Sequence, residues 1–192
     1  FASRTANDGL NDPGKLAREF IKLAELLKKT GNITVALEEF RQAEKYLIDA
    51  GAGPAKPALQ CEQAKVLTEI GRVQQELGNY PETIKSLAQA KGIFTELLRT
   101  DAATAAALEY RAGLAETHHQ YGELHTNQFR YGEASVAFTD SIRLCEQIWT
   151  QEETKKPGER NLQYLRNVGR GYGYRGDARL ALGDVLGADQ DY

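Results

Sequence analysis

The sequence predicts an all-α protein, and two features of its composition indicate this fold class. Leucine and alanine, which favour helices, far outnumber valine, whereas a β protein relies on branched residues. Glycine falls mainly at the ends of segments rather than in a strand–turn–strand rhythm. The 192 residues, 41% of them hydrophobic and 27% charged, are enough for one domain or a short repeat array.

The first helix pair is predicted from start signals, stop signals and apolar spacing. Asp12 and Pro13 form an N-cap followed by proline at the first helical position. Lys15–Lys29 then places apolar residues three or four positions apart, along one face of a helix. Gly31 stops this helix, and Ile33–Ala50 resumes the same spacing.

Glycine, proline and asparagine divide the rest of the chain into further helical segments. The predicted segments are Ala58–Leu77, Tyr80–Arg99, Ala102–Thr126 with Asp101 as its N-cap, Tyr131–Gln151, Glu159–Leu182, and a last segment that ends at Tyr192. Short turns join them into helix pairs at approximately 15–50, 58–99, 102–151 and 159–192, of which the last is truncated. Residues 1–14 are predicted to be a linker or an N-terminal extension, and residues 15–192 one repeat domain.

Aligning the turns reveals an internal repeat in which small residues recur on both helices of each pair. The first helices carry Ala24, Gly71, Gly122 and Gly176, and the second helices carry Ala36, Thr83, Ala134 and Ala188. Small residues at both positions let two antiparallel helices approach closely, while large apolar residues fill the space beside them. The corresponding turn residues are Gly31, Gly78, Phe129 and Gly183, so the third turn has phenylalanine where the others have glycine.

This pattern resembles the tetratricopeptide repeat (TPR), and the resemblance covers residues 15–192. The turns lie farther apart than the ~34 residues of the common TPR. The spacing is similar to that of the elongated TPR-like repeats in kinesin-light-chain-like arrays and in bacterial multidomain signalling proteins. The resemblance implies a right-handed α-solenoid of about four antiparallel helix pairs, because a single pair cannot bury both of its faces.

Charge and composition exclude several functional classes. The net charge is −3 and the chain has no long basic block, so we expect no nucleic-acid partner. No apolar run is long enough to cross a membrane, so we expect no membrane partner either. Cys61 and Cys145 lie far apart in the chain, which suits two reduced thiols and a cytoplasmic location. The chain has no methionine, so it is expected to be a piece of a longer protein.

Motifs that carry chemistry lack their usual context. Gly171–Gly176 matches the G-x-G-x-x-G pattern of dinucleotide sites, but the segment before it is predicted to be helix rather than strand. His118, His119 and His125 do not have the spacing of a zinc helix, so His118 and His125 are predicted to be buried and hydrogen-bonded. The serines lie in no nucleophile-elbow motif. We therefore expect no metal, no cofactor and no enzymatic activity.

The TPR resemblance implies that the first helix of each pair lines a groove. The candidate partner-binding residues are Arg18, Lys22, Lys65, Arg72, His119, Glu123, Arg166, Arg170 and Tyr174. The positions that correspond to the asparagines of carboxylate-clamp TPRs carry Glu25, Arg72, Glu123 and Asp177, so that clamp is not predicted. A basic cluster over Lys155–Arg179 is interpreted either as a surface for an acidic peptide or a phosphate group or, preferably, as an ordinary solvated helix face.

These features predict a non-catalytic protein–protein interaction module within a larger regulatory protein. The alternative is a repeat domain that senses a ligand or a peptide and switches an attached output domain. An uncovered apolar face at Val185, Ala188 and Tyr192 predicts possible self-association through the last pair. Only Gly176 among the glycines inside Glu159–Leu182 has a packing reason to be small, so alanine at Gly171 and Gly173 is expected to stabilise this helix.

Overall fold

A computed structural model describes residues 12–192 apart from 103 and 105, and this part of the chain consists of helices joined by turns and short connections. The helices are α1 (Pro13–Lys29), α2 (Ile33–Asp49), α3 (Pro57–Glu76), α4 (Tyr80–Asp101), α5 (Ala107–Asn127), α6 (Tyr131–Glu153), α7 (Leu162–Ala181) and α8 (Val185–Asp191). A short 3-10 turn at Pro157–Glu159 precedes α7. The chain divides inside α4, between Ile93 and Phe94, into two compact units, called unit 1 and unit 2 below.

Each helix pair is joined by a turn whose central residue has a left-handed backbone. Gly31, Gly78 and Gly183 have φ angles of 82°, 77° and 82°. At the first turn the Gly31 amide donates to the Lys28 carbonyl, and the next amide, of Asn32, reaches back to Leu27. The same pair of bonds recurs at Gly78 and Gly183. This is the glycine C-cap that ends a helix by satisfying its last carbonyls.

Phe129 adopts the same conformation at the third turn although it is not glycine. Its φ is 59°, its amide donates to the Thr126 carbonyl, and the Arg130 amide donates to the His125 carbonyl. A left-handed backbone brings Cβ close to the following carbonyl oxygen, which costs a non-glycine residue about 1–2 kcal/mol. The Phe129 side chain is 79% exposed and touches the edge of Tyr131, so burial offsets little of this cost.

Replacing Phe129 by glycine is expected to stabilise unit 2 by about 1 kcal/mol, because the turn keeps its hydrogen bonds and loses the strain. Urea denaturation followed by circular dichroism measures the change. Phe129→Ala, which keeps a Cβ and therefore the strain, is the matched control and should leave stability near that of the original chain. Equal stability of the glycine and alanine variants would contradict this account of the turn.

The predicted close approach of paired helices is confirmed. A Cβ added to Gly71 would lie 2.8 Å from Leu87, and one added to Gly176 would lie 2.9 Å from Tyr192. Gly122 meets the ring of Phe138 in the same way. Each partner stands four positions after the small residue of the second helix, so that each glycine receives the large side chain of the next helical turn.

The prediction that Gly176 alone on α7 needs to be small is wrong, because Gly171 also lies at a close contact. A Cβ on Gly171 would lie 2.7 Å from Cγ1 of Ile142, which is buried on α6. Nothing lies within 4 Å of a Cβ on Gly169 or Gly173. Gly171 therefore sets the contact between α6 and α7, a contact with the following pair that the turn alignment did not reveal.

Alanine at Gly173 is expected to stabilise unit 2 by about 0.5–1 kcal/mol through helix propensity alone. Alanine at Gly171 is expected to destabilise it by about 1–2 kcal/mol, because Ile142 must move within a packed core. The two substitutions add the same methyl group two positions apart on one helix, so each is the control for the other. Chemical denaturation of both variants measures the difference, and a Gly171→Ala variant as stable as Gly173→Ala would refute it.

Two predicted helix starts are wrong. Asp101 is the last residue of α4 rather than the N-cap of the next helix, and α5 begins at Ala107. α7 begins at Leu162 rather than at Glu159, because Asn161 caps it by accepting a hydrogen bond from the Gln163 amide. The preceding 3-10 turn does not continue into α7, because the backbone at Arg160 is extended, with a ψ of 134°.

The buried carboxylate of Glu152 holds this connection in place. Its side chain is 1% exposed and accepts hydrogen bonds from the Asn161 amide at 2.7 Å and from Lys155 Nζ at 2.6 Å. The backbone bond from Asn161, followed by the Lys155 contact, holds the pKa of Glu152 below its usual range. Sequence reasoning did not identify this residue, since one glutamate among many carries no distinguishing pattern.

The apolar face predicted at Val185, Ala188 and Tyr192 is only partly uncovered. Val185 and Tyr192 are exposed, but Ala188 is buried. Tyr192 also packs against Gly176 and donates a hydrogen bond from Oη to Asp177 at 2.6 Å. The short α8 is thus held against α7 by the predicted crossing at Gly176 and by a hydrogen bond to Asp177 that the sequence pattern did not specify.

Candidate functional site

Unit 1 contains a cleft between α1 and α3, the first helices of its two pairs. The cleft has a volume of about 310 Å³, and its floor is formed by Ile21, Phe40 and Val66. Its rim carries Arg18, Lys22 and Glu25 from α1 and Glu62, Lys65 and Glu69 from α3. Three candidate residues predicted from sequence, Arg18, Lys22 and Lys65, are therefore brought together around one opening. An apolar floor with a few polar groups at the rim is the usual arrangement of a binding pocket.

The floor of the cleft forms because α1 turns a small-residue stripe toward α2. Ala17 and Ala24 are fully buried, which lets Phe40 of α2 reach between α1 and α3. Ile21 lies between these alanines in the stripe and stays partly exposed at the cleft. Its position at four-residue spacing from Ala17 is the signal that could have identified it from sequence.

Ion pairs neutralise most of the rim. Arg18 Nε lies 3.1 Å from Glu62 Oε1, and this pair joins α1 to α3. Glu69 binds Lys28 and also Arg72, whose Nη1 lies 3.0 Å away. The candidate residue Arg72 is thus held at the end of the cleft without lining it. Lys22 points outward and pairs with Glu19 on its own helix.

The remaining candidate residues lie in unit 2, on α5 and α7. Aromatic rings pack against one another between these helices. The ring of Tyr174 stacks on Phe138 at 5.4 Å, and its edge meets His119 at 4.9 Å. Tyr174 is the exposed member of this group. Glu123 lies beside it, with Oε1 3.6 Å from Nε2 of His119.

His119 was predicted to face a partner, but the structure buries it. It is 2% exposed, and its ring is covered by Phe138 and Tyr174. The helical alignment placed it on the groove side of α5, but the large rings from α6 and α7 close over that side. Of the other two histidines, His118 is buried 3.8 Å from Asp140. His125 is half-buried, and this burial lowers its pKa.

The fold of the chain is similar to that of several solved structures. The chain is similar to BtubC (BKLC) from P. vanneervenii, with 16% identity and a TM-score of 0.69 over 94% of this chain and 61% of that one. The chain therefore spans about three fifths of the length of BtubC. It has a TPR-like repeat fold. At this identity the likeness establishes the fold alone.

Other solved structures match with lower TM-scores. A putative kinesin light chain from Podosopora anserina with nearly identical TPR-like repeats matches at 18% identity and a TM-score of 0.43, over 94% of this chain and 93% of that one. The MamA protein matches at 15% identity and a TM-score of 0.33, over 93% and 92% of the two chains. No family model and no curated protein matches the chain.

The basic cluster of α7 makes intramolecular contacts rather than forming an open cationic surface. Arg170 Nη2 lies 3.1 Å from Glu116 of α5, and Arg175 and Arg179 both bind Asp191 of α8. Arg160 donates to backbone carbonyls of the preceding connection, at Glu153 and Lys155. Arg166, the remaining candidate on α7, is exposed, and its Nη1 lies 3.4 Å from Oε1 of Gln163 on the same helix. These contacts favour the interpretation as an ordinary helix surface that also links neighbouring helices.

Several other sequence motifs can be placed in the structure. Gly171–Gly176 lies inside α7, as predicted, and is not preceded by a strand. Both cysteines are buried, and burial raises the pKa of the Cys145 thiol to about 11. Among the described residues, no group of three or more metal-binding side chains comes together. No described helix is long and apolar enough to cross a membrane.

Proposed function

We propose that this chain is a non-catalytic protein–protein interaction module and that the cleft between α1 and α3 binds a segment of its partner. The cleft carries the proposal, because it combines an apolar floor with candidate residues from two successive repeats. Recognition would depend on one bulky apolar side chain of the partner, placed over Ile21 and Phe40. The rim would supply polar contacts that orient the segment.

The internal ion pairs of the rim support a partner that is neither strongly acidic nor strongly basic. Arg18 is paired with Glu62, Lys22 with Glu19, and Glu69 with two cations. The rim residues of the cleft are three cations and three carboxylates, so the rim has no net charge that would attract a highly charged partner. We further propose that the module is part of a larger regulatory protein and is not itself an enzyme. The buried thiols of Cys61 and Cys145 support a cytoplasmic location.

A displayed library of random peptides, selected on the full chain, tests the proposal. Peptides that bind are then measured by fluorescence polarisation against Ile21→Gln and Lys65→Glu, which change the floor and the rim. Lys45→Glu, exposed on α2 and outside the cleft, is the matched charge control. We expect the cleft variants to weaken binding at least tenfold and the control to change it less than twofold.

Selected peptides that bind all three variants equally would contradict the cleft as the site. A thermal-shift screen of small metabolites separates the proposal from the sensing alternative. A saturable metabolite that stabilises the original chain and fails to stabilise Ile21→Gln would favour a sensor.

A further inference from the structure

Four side chains at the turns of unit 2 are apolar and exposed. Phe129 occupies the left-handed turn position that is glycine at the other three turns. Leu180, Leu182 and Leu186 flank the α7–α8 turn. The equivalent positions are Thr126, Gln128 and Gly132 at the α5–α6 turn, Lys28, Thr30 and Thr34 at the α1–α2 turn, and Gln75, Leu77 and Pro81 at the α3–α4 turn. The position of Leu182 is therefore also leucine at the α3–α4 turn, whereas those of Leu180 and Leu186 are leucine at none of these three turns. We call Phe129, Leu180, Leu182 and Leu186 the turn edge.

The two turns of unit 2 lie side by side. On the contact between α6 and α7, Gly171 meets Ile142, Tyr172 donates to Glu146, and Arg175 donates to Thr139. From Gly171 to Arg175, one helical turn later on α7, the contacted residue of α6 moves from Ile142 back to Thr139, so the two helices are antiparallel. The same register places the start of α6 opposite the end of α7. All four side chains of the turn edge therefore lie at the same end of unit 2.

The turn edge is exposed, and the repeat architecture does not cover it. Its side chains are between 52% and 79% exposed. At the α1–α2 turn, Gly31 and Asn32 remain exposed although α3 packs against α2. A following repeat thus leaves the turn open in this fold. An apolar patch of this kind on a protein surface marks an interaction site.

Backbone strain at Phe129 is a second, independent observation. A left-handed non-glycine residue persists only when something compensates for it, and such residues concentrate at functional sites. The Phe129 side chain gains one edge contact, with Tyr131, and remains mostly in solvent. Contact with another molecule would supply the burial that the folded chain does not.

We infer that the turn edge binds a second copy of this chain through the same surface, about a two-fold axis. Charges beside the edge are already satisfied internally. Arg130 pairs with Glu133 at 2.7 Å, and Arg179 pairs with Asp191 at 3.0 Å. The side chain of Asp184 caps α8 by accepting a hydrogen bond from the Gly187 amide. An apolar partner without strong charge fits such a surface, and an identical edge has that chemistry. With Arg130 paired, an anionic membrane gains little electrostatic attraction here.

The expected dimer is weak. A stable interface buries about 800 Å² on each partner, and four side chains supply only part of that area. We therefore expect association in the micromolar to millimolar range, reversible with concentration. This contact lies on unit 2 and does not depend on the cleft of unit 1.

Sedimentation equilibrium of the full chain, from about 10 μM to about 1 mM, tests the inference. Leu180→Thr/Leu182→Gln gives the α7–α8 turn the residues of the α5–α6 turn, and Phe129→Gly gives the third turn the residue of the others. Each is expected to weaken dimerisation at least tenfold. Phe129→Gly should also raise thermal stability, so loss of the dimer in this variant cannot result from unfolding. Leu26→Gln, equally exposed on α1, is the matched control and should leave the dimer unchanged.

A chain that stays monomeric throughout this range would overturn the inference, and so would equal weakening by Leu26→Gln. Flotation with neutral phosphatidylcholine vesicles examines the alternative occupant. Vesicle binding that disappears in Phe129→Gly, without any dimer in solution, would assign the turn edge to lipid instead.

Discussion

Gly122→Ala is expected to destabilise unit 2 by about 3 kcal/mol. The added Cβ would lie 2.6 Å from Cδ1 and Cζ of Phe138 and closer still to Cε1. Phe138 is fully buried in a cluster with Ala134 and Ala178, so its ring has no space into which to move. Overpacking a well-filled core usually costs 1–3 kcal/mol, and a rigid ring on the opposing side places this site at about the upper end.

Urea denaturation and hydrogen exchange of α5 and α6 measure this effect. Gly132→Ala is the matched control, because nothing lies within 4 Å of a Cβ at this position on α6. It should stabilise unit 2 by about 0.5–1 kcal/mol through helix propensity. A Gly122→Ala variant as stable as the original chain would mean that α5 and α6 do not pack as closely as described.

Asp191→Ala is expected to lower the free energy of opening of α8 by about 3 kcal/mol, so that α8 unfolds locally more often. The Asp191 side chain is 2% exposed and receives hydrogen bonds from Arg175 at 2.5 and 2.9 Å and from Arg179 at 3.0 Å. Removing this carboxylate leaves the buried guanidinium of Arg175 without a counter-charge, a change that costs about 3–5 kcal/mol in other buried pairs. The other contacts of this seven-residue helix with α7 are the burial of Ala188, the packing and hydrogen bond of Tyr192, and one bond from Arg179 to the Gly187 carbonyl.

Hydrogen exchange of the α8 amides measures the loss. Asp189→Ala, exposed on the same helix, is the control and should leave exchange nearly unchanged. A double variant, Arg175→Met/Asp191→Leu, removes both charges and should recover much of the protection, since an apolar pair can replace a buried ion pair. If α8 in Asp191→Ala exchanges as slowly as in the original chain, the ion pairs do not hold it.

The candidate site was predictable where it depends on the faces of single helices. Arg18, Lys22 and Lys65 could be assigned to the groove side because helical periodicity fixes which residues share a face. His119 satisfied the same rule, yet Phe138 and Tyr174 cover it. Helical periodicity specifies the direction in which a side chain leaves its own helix. It does not specify whether an aromatic ring from another helix covers that side chain. The same limit explains why Ile21 and Phe40 were missed as the cleft floor.

The sequence by itself determined the helical class, the paired helices and the close crossings at Gly71, Gly122 and Gly176. These features depend on local propensity and on spacing within about one helical turn, which a single chain displays directly. Only the tertiary structure decided that Gly171 must be small and that α7 begins at Leu162. It also decided that Asp191 secures α8. Each of these depends on contacts between residues far apart in sequence, whose partners are chosen by packing and charge rather than by any local pattern.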